Sequence, residues 1–257
     1  MNLLEACVGA CLEASKFSLR YFRKNFSVRK KGVRDLVTEV DLKCENAIKR
    51  FILRNFKGAS FLCEESGKIG SSESFWVVDP IDGTTNFVHG IEFFSHSVAF
   101  FDGSKIVCGA VFNPVLNKMF CAELGKGAFL NGSKIRVSTN KDLIDSLVIT
   151  GFPYASGVLE KKTLESLGRL RGKCRDVRRF GSAALDFCFV AEGAADVFFE
   201  YFLNPWDVAA GLLIVQEAGG KVTNVKGSVA SIFSENFVAS NGLVHDNVIS
   251  FLSDGND

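Results

Sequence analysis

The 257 residues carry a net charge of +1, are 47% hydrophobic and 23% charged, and are numerous enough to bury a sizeable core without covalent staples. The overall charge balance gives no reason to expect nucleic acid or a membrane as a partner, and no apolar run approaches the roughly 18 residues a spanning helix requires. The first residues hold Glu5 and lack a basic segment, so no secretory leader is expected.

Eight cysteines are scattered without a C-x-x-C pair. A reduced, cytoplasmic protein using Cys as a small hydrophobe is the expectation. The 25 phenylalanines read as core filler.

In chain order, residues 2–25 place Leu3, Leu4, Cys7, Val8, Cys11 and Leu12 on one face and predict an amphipathic helix. A basic link at Arg29, Lys30, Lys31 and Gly32 follows. A second helix, capped by Thr38 or Asp41, carries Leu42, Ile48, Phe51 and Ile52. Two helices are thus expected before any clear strand.

Residues 59–63 form a short strand delivering Glu64 and Glu65, then a Gly/Ser-rich connection over 66–74. Residues 75–78 are apolar and aromatic, predict a buried strand, and end in Asp79 and Asp82. Strands near 95–101, 106–112, 118–123 and 128–130, separated by Asp102-Gly103, Asn113-Pro114 and Asn131-Gly132, predict an antiparallel meander. The second half alternates: strand 146–150, helix 158–170, strand 176–178, helix 183–192, strand 194–199, helix 206–218, strands 221–224 and 237–239, and a last helix from about 243. Such alternation implies helices layered on a mixed sheet. The stretch 140–145 is a possible boundary between an N-terminal half (1–143) and a C-terminal half (144–257) of one domain.

Several motifs resemble active sites without their context. Cys44 and Arg50 have the C-x5-R spacing of cysteine phosphatases, but they lie in a helical pattern without glycine and read as helix surface. The run from Gly127 to Lys134 resembles a P-loop, yet Ser133 precedes Lys134 and the context is a hairpin. Asp79 and Asp82 stand three apart with Pro80 between them, where haloacid-dehalogenase phosphatases space their pair by two. His89, His96 and His245 lie near no plausible nucleophile in sequence, which argues against a triad hydrolase or a His-ligated zinc site.

Carboxylates remain. Asp79, Asp82, Glu64, Glu65 and Asp207 stand at strand ends or a helix start. Gathered together they must stay solvated, protonate or bind cations, and an all-oxygen set suits Mg²⁺. Taken singly, each reads first as a cap or turn residue; taken together, that reading weakens.

The set resembles the inositol monophosphatase family of the lithium-sensitive, Mg²⁺-dependent phosphatase superfamily. The resemblance rests on Leu36-Val37-Thr38-x-x-Asp41, Glu64-Glu65-Ser66, the run Trp76 to Phe87 (WVVDPIDGTTNF), Gly181-Ser182-Ala183-Ala184, Trp206-Asp207-Val208-Ala209-Ala210-Gly211 and Glu217-Ala218-Gly219-Gly220, in the family's order across nearly the whole chain.

It implies an α+β fold, a layered αβαβα sandwich, and hydrolysis of inositol 1-phosphate or similar polyol and sugar phosphates. It implies two to three Mg²⁺: one held by Glu64, Asp79 and the Ile81 carbonyl, one by Asp79, Asp82 and Asp207, and a weaker one by Glu64 with waters. The nucleophile would be a metal-activated water oriented or deprotonated through Thr84 and Asp41, with Glu65 behind. Gly83, Thr84 and Thr85 would hold phosphate at a helix start. Gly181, Ser182, Ala183, Glu200 and Asp207 would meet the rest of the substrate, and Lys30 matches a basic residue near the metals.

The family also implies a homodimer. Fructose 1,6-bisphosphate or NADP(H) is the alternative substrate. A reading of another class is RNA or transcription-machinery binding through Arg169, Arg171, Lys173, Arg175, Arg178 and Arg179, six cations in eleven residues, which are otherwise a solvated or interface strand.

Overall fold

The computed structural model describes residues 1–30, 36–153 and 157–253. Its elements run α1 (Leu3–Tyr21), β1 (Val28–Lys30), β2 (Leu36–Thr38), α2 (Glu39–Asn55), β3 (Phe61–Cys63), β4 (Gly67–Ile69), β5 (Phe75–Asp82), α3 (Thr84–Val88), β6 (Ser95–Phe101), β7 (Ile106–Asn113), β8 (Lys118–Glu123), β9 (Gly127–Leu130) and β10 (Ser133–Lys134). After a 3-10 turn come β11 (Leu147–Thr150), α4 (Val158–Leu170), β12 (Asp176–Arg178), α5 (Ala183–Ala191), β13 (Val197–Tyr201), α6 (Pro205–Glu217), β14 (Lys221–Thr223), β15 (Asn236–Ser240) and α7 (His245–Ser253).

Two sheets organise the chain. The first has the order β10-β9-β8-β7-β6-β5-β3-β4 and is antiparallel except where β3 lies parallel to β5. The second has the order β12-β11-β13-β15-β14, with β11 parallel to both β12 and β13.

Helices α1 and α2 cover one face of the first sheet, burying Cys7, Cys11, Cys44, Ile48 and Ile52 against Trp76, Val78 and Val98. Helices α5 and α6 fill the space between the sheets with Leu185, Phe187, Leu213 and Ile214. Helices α4 and α7 close the outer face of the second sheet over Val197, Phe199 and Val238. Five layers result, in the expected αβαβα order. Close approach needs small residues here: a Cβ on Gly211 of α6 would lie 2.6 Å from Phe187 Cβ.

The antiparallel meander and the later alternation follow the sequence pattern. Three local readings are corrected. Residues 28–30 are a strand and not a link, because Val28 to Lys30 pair with Thr38 to Leu36; two strands therefore precede α2, while Lys31 and Gly32 lie outside the described residues. Gly67–Ile69 is an edge strand inside the Gly/Ser-rich connection, paired with Phe61 to Cys63. Cys44 is fully buried, donating its thiol to the Ala14 carbonyl at 3.4 Å, so it is not on the helix surface, and burial raises its pKa. Both candidate caps of α2 are used: Val40 and Asp41 N–H donate to Thr38 Oγ1 while Thr38 N–H donates back to Asp41 Oδ2, a reciprocal capping box.

Candidate active site

Strand β5 is buried along its whole length, and it carries charge only where its ladder fails. Its pairing with β6 shifts between Asp79↔Ser97 and Asp82↔Ser95. A bulge there turns both acids out of the regular pleat. Gly83 then takes a left-handed φ of 92° and opens α3. A side chain at Gly83 would also crowd the Gly181 carbonyl at 3.0 Å, which accounts for glycine at that position.

Asp79 is 2% exposed, and its Oδ1 has no hydrogen-bond partner. Burial, then the charges of Glu64, Asp82 and Asp207, push its pKa well up. Asp82 is tied differently: it accepts from Ser182 Oγ at 2.5 Å and from Ala184 N–H at 2.8 Å, with Ala183 N–H at 3.3 Å. It thereby caps α5 from another element, since Ser182 makes no side-chain cap of its own. Burial raises Asp82 to about 6 against those hydrogen bonds.

Asp207 lies in the first turn of α6, where it accepts from Asn204 N–H at 2.7 Å. Burial and the charge of Asp82 hold its pKa well up. Glu64 follows β3 and is fixed by its neighbours. The N–H groups of Glu65 and Ser66 donate to Glu45 Oε2 at 3.0 and 3.3 Å, and Lys49 pairs with the other Glu45 oxygen at 2.8 Å. Glu45 is a positioning acid that sequence reasoning missed; its signal was an acid on the apolar side of α2.

Behind the acids, Thr84 Oγ1 lies 3.2 Å from Asp41 Oδ1 and 3.0 Å from the Ile81 carbonyl. Asp41 is fully buried, which raises its pKa, while the Thr38 hydroxyl and N–H oppose that rise.

A cavity of about 250 Å³ opens in front. Glu64, Asp82, Gly181, Ser182, Ala183, Glu200 and Asp207 line it; Asp41, Glu65, Asp79, Ile81, Gly83, Thr84 and Thr85 are not part of its wall. Glu200, at the end of β13, is 9% exposed and is raised to about 8 by burial, opposed by Arg179. A Cβ on Gly151 would overlap the Glu200 carboxylate at 2.1 Å, so the bare backbone of Gly151 makes room for it.

Arg179, Phe152 and Pro153 also line the cavity and were not anticipated. The signal for Arg179 was its place two residues before Gly181, at the start of the loop that meets Asp82. Asp186, in an otherwise apolar helix, is 1% exposed with both carboxylate oxygens unpartnered. Burial, Glu200 and Asp82 all raise its pKa.

The basic run around Arg179 is mostly engaged locally. Arg169 donates to the Phe251 carbonyl, Arg175 pairs with Asp145 and Arg178 with Asp176.

The acids are neighbours without being closed on a centre. Among the described residues, no group of three or more His, Cys, Asp or Glu side chains closes on a common centre. Repulsion between carboxylates explains the spread: Asp82 and Asp207 rest on hydroxyl and N–H donors instead. A divalent cation nonetheless fits the donor set. The donors are all oxygen, and the unpartnered Asp79 Oδ1 is a buried acceptor beside three further acids.

Comparison with known proteins matches residues 2–254 to the model of the inositol monophosphatase family. The chain belongs to this family. It is 41% identical over 226 residues to the fructose-1,6-bisphosphatase/inositol-1-monophosphatase of Thermotoga maritima, covering 88% of this chain and 86% of the relative. It is 40% identical over 213 residues to the Nus factor SuhB of Escherichia coli, covering 82% and 80%. Among solved structures, the extragenic suppressor protein SuhB of Bartonella henselae superposes with a TM-score of 0.94 at 38% identity, covering 98% of this chain and 99% of the other. The inositol monophosphatase fold and membership in a family of phosphoric monoester hydrolases are thereby established. No described helix of this family member is long and apolar enough to cross a membrane.

Proposed function

We propose that the chain is a Mg²⁺-dependent phosphomonoesterase acting on inositol 1-phosphate or a similar polyol or sugar monophosphate. The observation that carries this is the buried, unpartnered Asp79 Oδ1 among Glu64, Asp82 and Asp207 at the edge of a cavity whose other wall holds Glu200. Glu64, Asp79, Asp82, Asp207 and the Ile81 carbonyl are the groups that would hold two to three cations. Bound Mg²⁺ lowers the pKa of a water and offsets the phosphate charge.

The chain's own residues supply the rest. The Thr84 oxygen accepts a proton from the attacking water while its own hydroxyl proton passes to Asp41 Oδ1, 3.2 Å away. The burial that raises the proton affinity of Asp41 is in the direction an acceptor requires. Amides at the start of α3, beside Gly83, Thr84 and Thr85, face the transferring phosphoryl group, because the first N–H groups of a helix lack intrahelical partners.

Glu200 accepts from substrate hydroxyls, and Arg179 moderates the negative charge around it. Ala183 N–H is engaged by Asp82, so Glu200 carries more of the ring recognition than the Gly181-Ser182-Ala183 backbone. Glu65 acts through the loop that positions Glu64.

Phosphate release from a panel of monoesters with Mg²⁺ tests the reading. Turnover of inositol 1-phosphate is expected; negligible turnover beside rapid release from fructose 1,6-bisphosphate or NADP(H) reverses the substrate ranking. A homodimer in a cytoplasmic compartment belongs to the same reading. A second reading, binding to RNA or the transcription machinery, is favoured by the relative named Nus factor SuhB. It predicts salt-sensitive RNA binding lost in the double variant Arg178→Ala with Arg179→Ala. The local pairing of Arg175 and Arg178 weighs against it.

A further inference from the structure

The bulge that presents Asp79 and Asp82 leaves Pro80 and Ile81 without register partners on β6, and side chains approach both of their carbonyls. Buried carbonyls need donors, and Pro80 and Ile81 sit where the β5–β6 register shifts. The Ile81 carbonyl lies 3.0 Å from Thr84 Oγ1, whose one proton it shares with Asp41 Oδ1 at 3.2 Å. The Pro80 carbonyl lies 2.5 Å from His96 Nδ1. His96 belongs to β6, is fully buried, and has its other nitrogen, Nε2, 2.8 Å from Ser18 Oγ of α1.

A carbonyl only accepts, so Nδ1 must carry the proton. In the neutral ring Nε2 is then an acceptor and the Ser18 hydroxyl donates to it. The alternative acceptor for Ser18, the Ser15 carbonyl, is more distant at 3.3 Å. Burial holds the ring neutral, with a pKa lowered to about 4. The residue is also pinned from behind, since Cys11 Sγ donates to the His96 carbonyl at 3.5 Å and Phe94 meets the ring edge to face at 6.3 Å.

We infer that His96, oriented by Ser18, is a positioning residue that holds the Pro80 carbonyl and so sets the spacing of Asp79 and Asp82, coupling the N-terminal helix to the acid site. His96 does not line the cavity, so its influence runs through the backbone between the two acids. The kinetic part of the test rests on the phosphatase reading; the binding and spectroscopic parts do not.

The test uses the full chain as wild type, His96→Ala, His96→Asn and Ser18→Ala. Mn²⁺ binding is followed by electron paramagnetic resonance, and phosphate release by titrating Mg²⁺ and substrate separately. Groups that orient metal-binding side chains typically alter affinity or activity by 10–100-fold, so His96→Ala should weaken Mn²⁺ binding and lower kcat each by about 10-fold, with substrate KM within about 3-fold of wild type. His96→Asn, whose amide donates in place of Nδ1, should recover most of both, and Ser18→Ala should show a smaller loss in the same direction.

Nitrogen NMR of histidine-labelled wild type should show the Nδ1–H tautomer for His96 at pH 7. An Nε2–H tautomer, or unchanged Mn²⁺ affinity in His96→Ala, overturns the inference. Equal losses in the Ala and Asn variants that track only the folded fraction do the same. If His96→Ala does not fold, His96→Asn, Ser18→Ala and the tautomer decide. Wild type that binds Mn²⁺ but cleaves no monoester sinks the phosphatase reading while leaving the binding comparison decisive; wild type that binds no Mn²⁺ overturns both.

Discussion

Two buried aspartates, one beside each sheet, separate an acid whose oxygens the fold satisfies from one whose oxygens it does not. Asp196, just before β13, is 7% exposed and fully engaged: Ser138 Oγ donates to one oxygen at 2.5 Å and Leu147 N–H to the other at 2.8 Å. Asp79, at the bulge of β5, is 2% exposed, with one oxygen unpartnered and three acids around it. Burying a carboxylate is unfavourable in both places. At Asp196 hydrogen bonds to both oxygens offset the cost; at Asp79 one oxygen has no donor, and a cation would supply the offset.

Neutralising each acid tests that contrast most severely. Asp79→Asn should lower phosphate release at least about 100-fold, at or beyond the upper end for groups that merely support a metal ligand. Its thermal unfolding with chelator should be no less stable than wild type, since an uncompensated buried charge is removed. A clear loss of metal-free stability would place Asp79 in the structural class with Asp196. Asp82→Asn should likewise nearly abolish turnover in a folded protein, because its remaining carbonyl oxygen can still accept from α5.

One step back from the acids, Thr84→Ala should reduce kcat by about 10–100-fold and Thr84→Ser by far less, the usual span for acid–base and supporting groups; equal losses would mean that the methyl group matters and not the hydroxyl. Asp196→Asn should reverse the pattern, costing about 1–3 kcal/mol of unfolding free energy through its broken hydrogen bonds while leaving kcat within about 2-fold. Denaturant unfolding and steady-state kinetics on the same preparation read both quantities.

The smallest effect concerns Glu200, raised to about 8. A carboxyl with a raised folded pKa binds protons more tightly in the native state, so its contribution to stability is present at low pH and is lost as pH rises through that value. The buried His96 and His245, lowered to about 4, act in the opposite direction but only below about 6.5. Between pH 6.5 and 8 the chelated protein should therefore lose stability as pH rises, by about 1–2 kcal/mol from Glu200. Glu200→Gln should lessen that slope, with the buried Asp79, Asp186 and Asp207, also raised, supplying the rest, and should raise KM by about 3–10-fold, the loss of one hydrogen bond. An unchanged slope would mean that Glu200 ionises normally.

Much of the first sheet was readable from local patterns. The meander from Ser95 to Leu130 alternates hydrophobicity between clear turn residues, and both cap candidates of α2 are used because a capping box spans only three residues. Two short edge strands of the N-terminal half were not readable, although the equally short and charged Asp176–Arg178 was. Val28–Lys30 is exposed throughout and is a strand only because Leu36–Thr38 pairs with it; Gly67–Ile69 has the same origin. In the site, Asp79 and Asp82 announced themselves by ending an apolar strand, whereas Arg179 was read only as one cation in a basic run.

By itself, then, the sequence determined the family, the layered class and the identity of the acids, because strand ends, caps and motif blocks are local properties. Only the tertiary structure decided how each acid is partnered. Whether a carboxylate is satisfied depends on donors from remote segments: Ser182 and Ala184 for Asp82, Ser138 and Leu147 for Asp196, and no protein donor for Asp79 Oδ1. The partnership of His96 with Ser18 and Pro80 is of the same kind, joining residues 78 and 16 positions apart, and no local pattern records such distances.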